Sequence, residues 1–523
     1  MLLLHLNMLE LLVVLPLDLN SSVMPIKTSF GRFLFLRNQP EFMQKYLKIK
    51  TIKTHKESAI LIFGHILYLI SSINFWIIEG NWHDQQRIMQ IFLFSFISVT
   101  ALIFTFSSSS DSQSSFYKKK DVIIFLAFSL SGLLSVFFSK YWGNALLEWA
   151  LVCIAIMSAA YIAKVRVVAN DSFDRWAVTA INFTFLFYLV GLIARFLAVI
   201  GGQPIIVGNL LDGFSNIRFF GQYLTFTLPF LALMIFNAKS LIDSFAGFCA
   251  LGLGWMVCIA SGTRGSWLAL GFATIIVFFL NRKPARLWVK YQVFGCVSGL
   301  LAYLLFFFYL PSLFSVETTL QNRLSNITTL SLREVIWERA LVVIMDSPVL
   351  GAGPMHFAAY NNGVGAHPHN SLLQIAAEWG LPAMSLVLVV AIYALSKWVP
   401  SIGKNEEVSF HSMVDIALFA AVVAAMVQSL VDGVIVMPYS QVLLIFIGGW
   451  AWGKYRSDNP VAGENNFYVG KKPVFVLVFL VVGMLFYCVP QIGQLVEREE
   501  AFKLKHQTSH FHPRFWRQGW IDQ

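Results

Sequence analysis

Charge is what this sequence has least of. Only 13% of its 523 residues are Asp, Glu, Lys or Arg, about half of the roughly 25% found in soluble globular domains, and this excludes a water-soluble enzyme. Cysteine is scarce as well: Cys153, Cys249, Cys258, Cys296 and Cys488 all lie inside apolar runs. With no CxxC and no Cys/His cluster, neither a zinc site nor a disulfide framework is expected. The outer loops carry no DxD or paired-carboxylate metal motif, so no metal site and no cofactor are predicted. No short repeat runs through the chain, which excludes solenoids and fibrous arrays. The opening stretch MLLLHLNMLELLVVLP is broken by His5, Asn7 and Glu10 and lacks the basic start and small-residue cleavage site of a signal peptide. It reads as upstream of the true start, at Met24 or Met43, and residues 1–42 carry no functional expectation.

Apolar residues are what the chain has in excess: 57% hydrophobic with 48 Phe, a composition that also excludes disorder. Runs of about 20 apolar residues cross a bilayer as helices. They fall near 58–78, 89–107, 121–139, 143–163, 176–200, 217–237, 241–261, 264–280, 292–314, 371–396, 414–437, 440–453 and 473–490. The fold class is therefore an all-α polytopic membrane protein of twelve or thirteen transmembrane helices, twelve if one short candidate is re-entrant.

The net charge of +10 invites a nucleic-acid partner, but its distribution argues for membrane lipids instead. With the N-terminus inside, 25 of the 38 Lys and Arg fall in cytoplasmic segments such as Lys27–Lys56, Lys118–Lys120 and Arg282–Lys290, as the positive-inside rule requires. The remaining basic residues are exceptions, and Arg195, Arg218 and Arg264 stand out among them at the outer ends of spans. Charges at a membrane edge are costly and usually functional.

Three polar segments break the pattern of short loops: the serine-rich linker at 107–120, the tail after residue 490, and about fifty-five residues at 315–370 on the outer face. In the last of these, Ser331 and Glu334 form a capping-box pattern ahead of VIWERALVVIM, a helix that should end before Pro348 and place Arg333, Trp337 and Ala340 on one face. A Gly- and Asn-rich stretch then delivers His367-Pro368-His369-Asn370-Ser371 to the next span. Asn370 or Ser371 can cap that helix, which would leave His369 at a positively polarised N-terminus, neutral and able to accept a proton near pH 7. Pro382 is expected to kink the helix near Trp379. Arginines beside a neutral histidine suit a site that grips phosphate oxygens bidentately and removes a proton.

On the segments SGTRGSWLAL, LREVIWERALVVIMDSPVLGAGPMHF and HNSLLQIAAEWGLP, the chain resembles the family of O-antigen ligases, O-antigen polymerases and bacterial protein O-oligosaccharyltransferases. His369, Asn370 and Gly380 match the ligases' pattern of His, then Asn, Ser or Gln, then nine residues and Gly; Arg264 and Leu268 match an Arg-x-x-x-Leu pattern. Ala383 departs from it in a minor way. The resemblance covers about residues 175–455, and it divides the chain into a basic N-terminal segment (1–57), N-terminal transmembrane helices (58–174), a catalytic membrane domain (175–455) and a last helix with its tail (456–523). DQQR at 84–87 and PRFWRQG at 513–519 resemble segments of protein-targeting members.

The resemblance implies a GT-C-like, metal-independent inverting glycosyltransferase of the bacterial inner membrane with a periplasmic active site. Its donor would be a glycan on undecaprenyl diphosphate, and its acceptor the lipid A core or a Ser or Thr of pilin or another protein, or, in a polymerase, a growing glycan. Arg264 and Arg333 would bind the diphosphate and His369 would act on the acceptor hydroxyl. Arg218 joins them on position, with Arg339, His367, Asn370 and Arg195 as secondary candidates; Arg339 could instead pair with Glu334 or Glu338. A transporter or flippase for lipid-linked glycans is the alternative of another class, but such proteins tend to carry midplane charge and repeated halves, which this sequence does not display.

Overall fold

The computed structural model describes residues 40–77, 81–106, 118–200, 206–313, 332–360, 364–402, 406–459, 471–507 and 510–521. The first 39 residues, most of the serine-rich linker (107–117) and Ser331 lie outside them. Contacts separate residues 1–53 from residues 54–523, and every site residue belongs to the second unit. The described residues contain helices and no strand: α1 Pro40–Asn74, α2 Trp82–Phe106, α3 Lys119–Phe137, α4 Trp142–Ala169, α5 Asp171–Ile200, α6 Ile217–Phe236, α7 Leu241–Ser261, α8 Arg264–Phe279, α9 Lys283–Leu304, α10 Arg333–Asp346, α11 Ser371–Trp379, α12 Leu381–Ile402, α13 Phe410–Ser429, α14 Pro438–Asp458, α15 Lys472–Ile492 and α16 Leu495–His506, with a few single turns between them. Eleven helical stretches among the described residues are long and apolar enough to cross a membrane, and α8 is a shorter apolar helix. The chain is a multi-pass membrane protein.

Two of the expected spans are corrected. The run 371–396 is broken at Gly380 into α11 and α12, so only α12 is span-length. The run 414–437 ends as a helix at Ser429, and residues 430–437 form an irregular segment that carries Asp432. The short candidate 440–453 extends into the 21-residue α14.

Burial orders the bundle. In α6, 89% of the most apolar window is buried, against 6% in α12, so α6 is the central post and α12 faces outward. Around α6 pack α7 and α13; α8 lies along α13, and α14 runs against α4. The α7–α9 crossing is close because glycines meet there: a β-carbon on Gly299 would sit 2.8 Å from the Gly252 carbonyl, and lipid-embedded helices rely on such small-residue contacts. The short α11 does not enter this bundle. It rests against α10, α12 and α3 at the end of the molecule where α6, α8 and α10 begin.

Candidate active site

The site is built around the turn that enters α11. Asn370 has extended backbone and caps the helix, its Oδ1 accepting from Leu373 N at 3.0 Å while its Nδ2 donates to the Leu430 carbonyl at 3.0 Å. One side chain thus both starts α11 and ties it to the chain leaving α13. His369, immediately before, has φ 52, a left-handed conformation that side-chain-bearing residues adopt sparingly and that needs surrounding structure to hold it. His367 helps: its Nδ1 accepts from His369 N at 3.3 Å, and the two rings lie 4.0 Å apart. The His367 ring packs on Gly433, where a β-carbon would come within 2.5 Å of it. Burial, followed by the charges of His369, Arg514, His83 and His512, holds His367 well below the usual imidazole range, so it is neutral.

Asp432 completes the turn. Its Oδ1 lies 3.7 Å from His369 Nδ1, and only 3% of its side chain is exposed. Gly433 N donates to it at 2.8 Å and Gln428 Nε2 at 3.4 Å. Burial alone would raise its pKa; contacts with His369, Gln222 and Gly433 N outweigh that and keep it below the usual carboxylate value. A charged carboxylate beside Nδ1 stabilises the imidazolium and leaves Nε2 as the face for a proton from a ligand. Gln428 Nε2 also donates to Ser266 Oγ at 3.0 Å, which links the Asp432 segment to the first turn of α8.

The arginines stand at helix heads. Gly262, with φ 62, closes α7 in a left-handed cap, and Thr263 turns the chain straight into α8, so Arg264 is its first residue. Arg218 is the second residue of α6, behind the Asn216 cap. Arg333 is the first residue of α10, behind Leu332, whose φ is 60; the expected Ser331 cap lies outside the described residues. These three come together: burial, then the charges of Arg218 and Arg264, push the Arg333 guanidinium below its usual pKa, and Asp432 opposes them. Arg333 Nε is buried with no hydrogen-bond partner among the described residues. Three guanidinium groups at helix N-termini, close enough for two to act on the third, make a positively charged region suited to an anion. α10 is fixed to the histidine turn through Trp337 Nε1, which donates to the Pro368 carbonyl at 3.0 Å, and through Ile336 and Ala340 packed with Phe357 and Leu373.

The far end of α11 explains the glycine of the His-Asn-x9-Gly pattern. Gly380 has φ 88, and a β-carbon there would lie 2.0 Å from the Val349 carbonyl. The Val349–Pro354 stretch caps the helix: Ala352 N donates to Ala377 O at 2.8 Å, Gly353 N to Glu378 O at 3.1 Å, and Leu381 N to Pro348 O at 2.8 Å. The spacing therefore measures α11, nine residues from cap to cap. It also corrects the expected proline kink: the break is at Gly380, and Pro382 is merely the second residue of α12, where proline fits a helix start.

Two secondary candidates are elsewhere. Arg195 donates from Nε to the Leu210 carbonyl at 3.0 Å and lies over the Tyr188 ring, so it holds a loop. Arg339 lies over the Tyr360 ring at 4.6 Å rather than against Glu334 or Glu338. Asp432, Gln428, Glu378 and Arg514 escaped the sequence reading; the faint signal for Asp432 is a lone acid just past the end of a long apolar run.

Residues 249–388 match the family model for O-Antigen ligase. The match contains Arg264, Arg333, Arg339, His367, His369, Asn370 and Gly380 and excludes Arg195, Arg218 and Asp432. No curated protein matches the chain.

Proposed function

From a chain that carries an O-antigen ligase domain, and with it a membrane glycosyltransferase-like function of the ligase and polymerase type, we propose that this protein transfers a glycan from undecaprenyl diphosphate to an acceptor hydroxyl on the periplasmic face of the inner membrane. The observation that carries this reading is the convergence of the helix-head arginines Arg218, Arg264 and Arg333 beside the His369–Asp432 pair.

The diphosphate of the donor sits among the three guanidinium groups, which bind its oxygens in forks. His369 Nε2 takes the proton of the acceptor hydroxyl, with Asp432 steadying the imidazolium through Nδ1. The acceptor oxygen bonds to the anomeric carbon as the bond from that carbon to the diphosphate oxygen breaks, and the electron pair leaves on undecaprenyl diphosphate. One displacement inverts the anomeric centre. Charge grows on the leaving diphosphate during the step, so arginines preorganised around it lower the barrier; they supply the positive charge themselves, in a reaction that uses no metal. The acceptor is the lipid A core or a protein Ser or Thr; with a growing glycan in that place, the same chemistry makes a polymerase.

The test is transfer by purified protein from a synthetic undecaprenyl-diphosphate glycan, without ATP or an ion gradient. Full activity of His369→Ala in that assay would overturn the mechanism. Glycan analysis of a deletion strain then assigns the acceptor: loss from pilin alone removes the lipid A core reading, and loss of long-chain lipopolysaccharide alone removes the protein reading.

A further inference from the structure

The C-terminal segment 510–521 does not lie free on the surface. Arg514 is 1% exposed, and its Nη2 reaches Glu378 Oε2 at 2.6 Å and Glu148 Oε1 at 3.2 Å. The Gln374 amide, turned so that both its atoms are satisfied, accepts from the same guanidinium at 2.9 and 2.5 Å. Gln374 and Glu378 are one and two turns into α11, whose cap holds His369. Gly519, near the other end of the segment, packs beside Ala366, just before His367, and Ile521 N donates to the Ala358 carbonyl. The tail therefore touches the chain on both sides of His369.

It is also tied, through Arg87, to the segment that carries Asp432. Arg87 is 1% exposed and donates from Nε to the Phe515 carbonyl at 3.0 Å and from Nη2 to the Val436 carbonyl at 2.9 Å, bridging the tail to the segment that carries Asp432. His83 Nε2 meets the same Phe515 carbonyl at 3.2 Å, and Asp84 accepts from Arg517 N at 2.7 Å. The DQQR and PRFWRQG segments are thus two halves of one contact. Phe515, Trp516 and Trp520 are buried in it, so these three rings are not available to hold an acceptor.

We propose that the C-terminal segment positions the catalytic turn, with Arg514 as the residue through which it sets α11 and hence His369. This rests on the transfer reaction proposed above. The physical reason is that a buried ion pair adds little net stability over an apolar substitute but fixes geometry firmly when its bonds are complete. Glu378 shows the tension: burial pushes it up to about 7 against the pull of Arg514, and its Oε1 also accepts from Phe357 N at 3.1 Å, so shifting the guanidinium shifts both α11 and the chain before the histidine turn.

The experiment compares full-length Arg514→Gln, Arg514→Lys and Glu378→Gln with the parent in the purified transfer assay, with thermal midpoints and donor affinity measured alongside. Arg514→Gln is expected to lower kcat per folded molecule by about 10²-fold, the order of loss for a displaced catalytic group, with donor affinity unchanged and with Arg514→Lys recovering most of the rate. If Arg514→Gln fails to fold, Glu378→Gln, which preserves shape, decides: a fall in kcat supports the proposal and an unchanged kcat overturns it. A lowered thermal midpoint with an unchanged kcat per folded molecule also overturns it, leaving the tail a packing element. His369→Ala in parallel separates the two readings. If it transfers glycan normally, the proposed reaction itself fails; if it is inactive while the Arg514 variants are normal, only the positioning role fails.

Discussion

Each end of α13 carries a cluster of buried charge, about 30 Å apart for a helix of this length, and the two are built on opposite principles. At the Phe410 end, Lys454 is 1% exposed and its Nζ meets Asp415 at 3.1 Å, Asp458 at 3.0 Å and His411 at 2.7 Å. Beside it Arg166 pairs with Asp174 at 2.8 Å, and Trp450 Nε1 donates to the same carboxylate at 2.6 Å. His411 with Asp171 and Asp174, or with Asp415 and Asp458, brings together ligand types that suit a cation, and the Lys454 ammonium already supplies one. At the Ser429 end, Arg218 and Arg264 act on Arg333, which Asp432 also reaches. The cations differ in burial: Lys454 and Arg166 are 1% and 0% exposed, whereas Arg218, Arg264 and Arg333 are half-buried. Fully buried and paired charge fastens helices to one another, whereas half-buried charge at helix heads can meet something that arrives.

The sharpest way to break this contrast is at the histidine. His369→Ala should lower kcat by about 10²–10⁴-fold, the usual worth of a general base, with the thermal midpoint little changed; single-turnover transfer measures it. Lys454→Met should do the reverse, costing about 1–3 kcal/mol of stability by taking the buried ammonium from the partly exposed Asp415 and Asp458 while kcat per folded molecule stays at the parent value; thermal denaturation in detergent measures the first and titrated active sites the second. Arg333→Gln or Arg264→Gln should lower kcat by about 10²–10³-fold, as loss of one preorganised charge donor does. A drop in thermal midpoint as large as that of Lys454→Met would show that the two clusters are alike after all. The smallest effect concerns pH. Because His367 is held neutral in the folded protein, the unfolded chain gains a proton below about 6.5 that the folded protein refuses. Stability is therefore full above about 6.5 and falls as pH drops toward the depressed folded value, by at most about 1.4 kcal/mol per pH unit. His356 and His512 are lowered in the same direction, so denaturation midpoints between pH 7 and 5 should fall, and His367→Gln should make that fall shallower by its own share.

Much of the fold was legible along the chain, because a membrane span is a local property: twenty apolar residues with little charge declare themselves without reference to anything distant. α7, with its Ser240 start and Gly262 stop, falls on the expected residues. α11 is the exception: Glu378, Gly380 and Pro382 mark a disturbance in the run from Ser371 onward, but not that the run splits into two helices. What divides it is the Val349 carbonyl pressed against Gly380, a contact from thirty residues upstream. The candidate site was legible in half. Arg264, Arg333, Asn370 and His369 announced themselves by standing at helix ends, where a charged or capping residue has a local reason to be. Asp432 and Arg514 did not, because nothing near either in sequence needs it.

The sequence by itself determined that the chain is a multi-pass helical membrane protein, roughly where most of its helices lie, and which polar residues stand at several of their heads, since hydropathy and capping act over a few neighbouring residues. Only the tertiary structure decided which of those residues meet. It set His369 against Asp432, drew Arg218, Arg264 and Arg333 into one charge field, took Arg195 away to the Leu210 carbonyl, and carried Arg514 across 136 positions to Glu378. Charge pairing acts through space, and the distances that govern it were fixed by how the apolar faces of the helices packed.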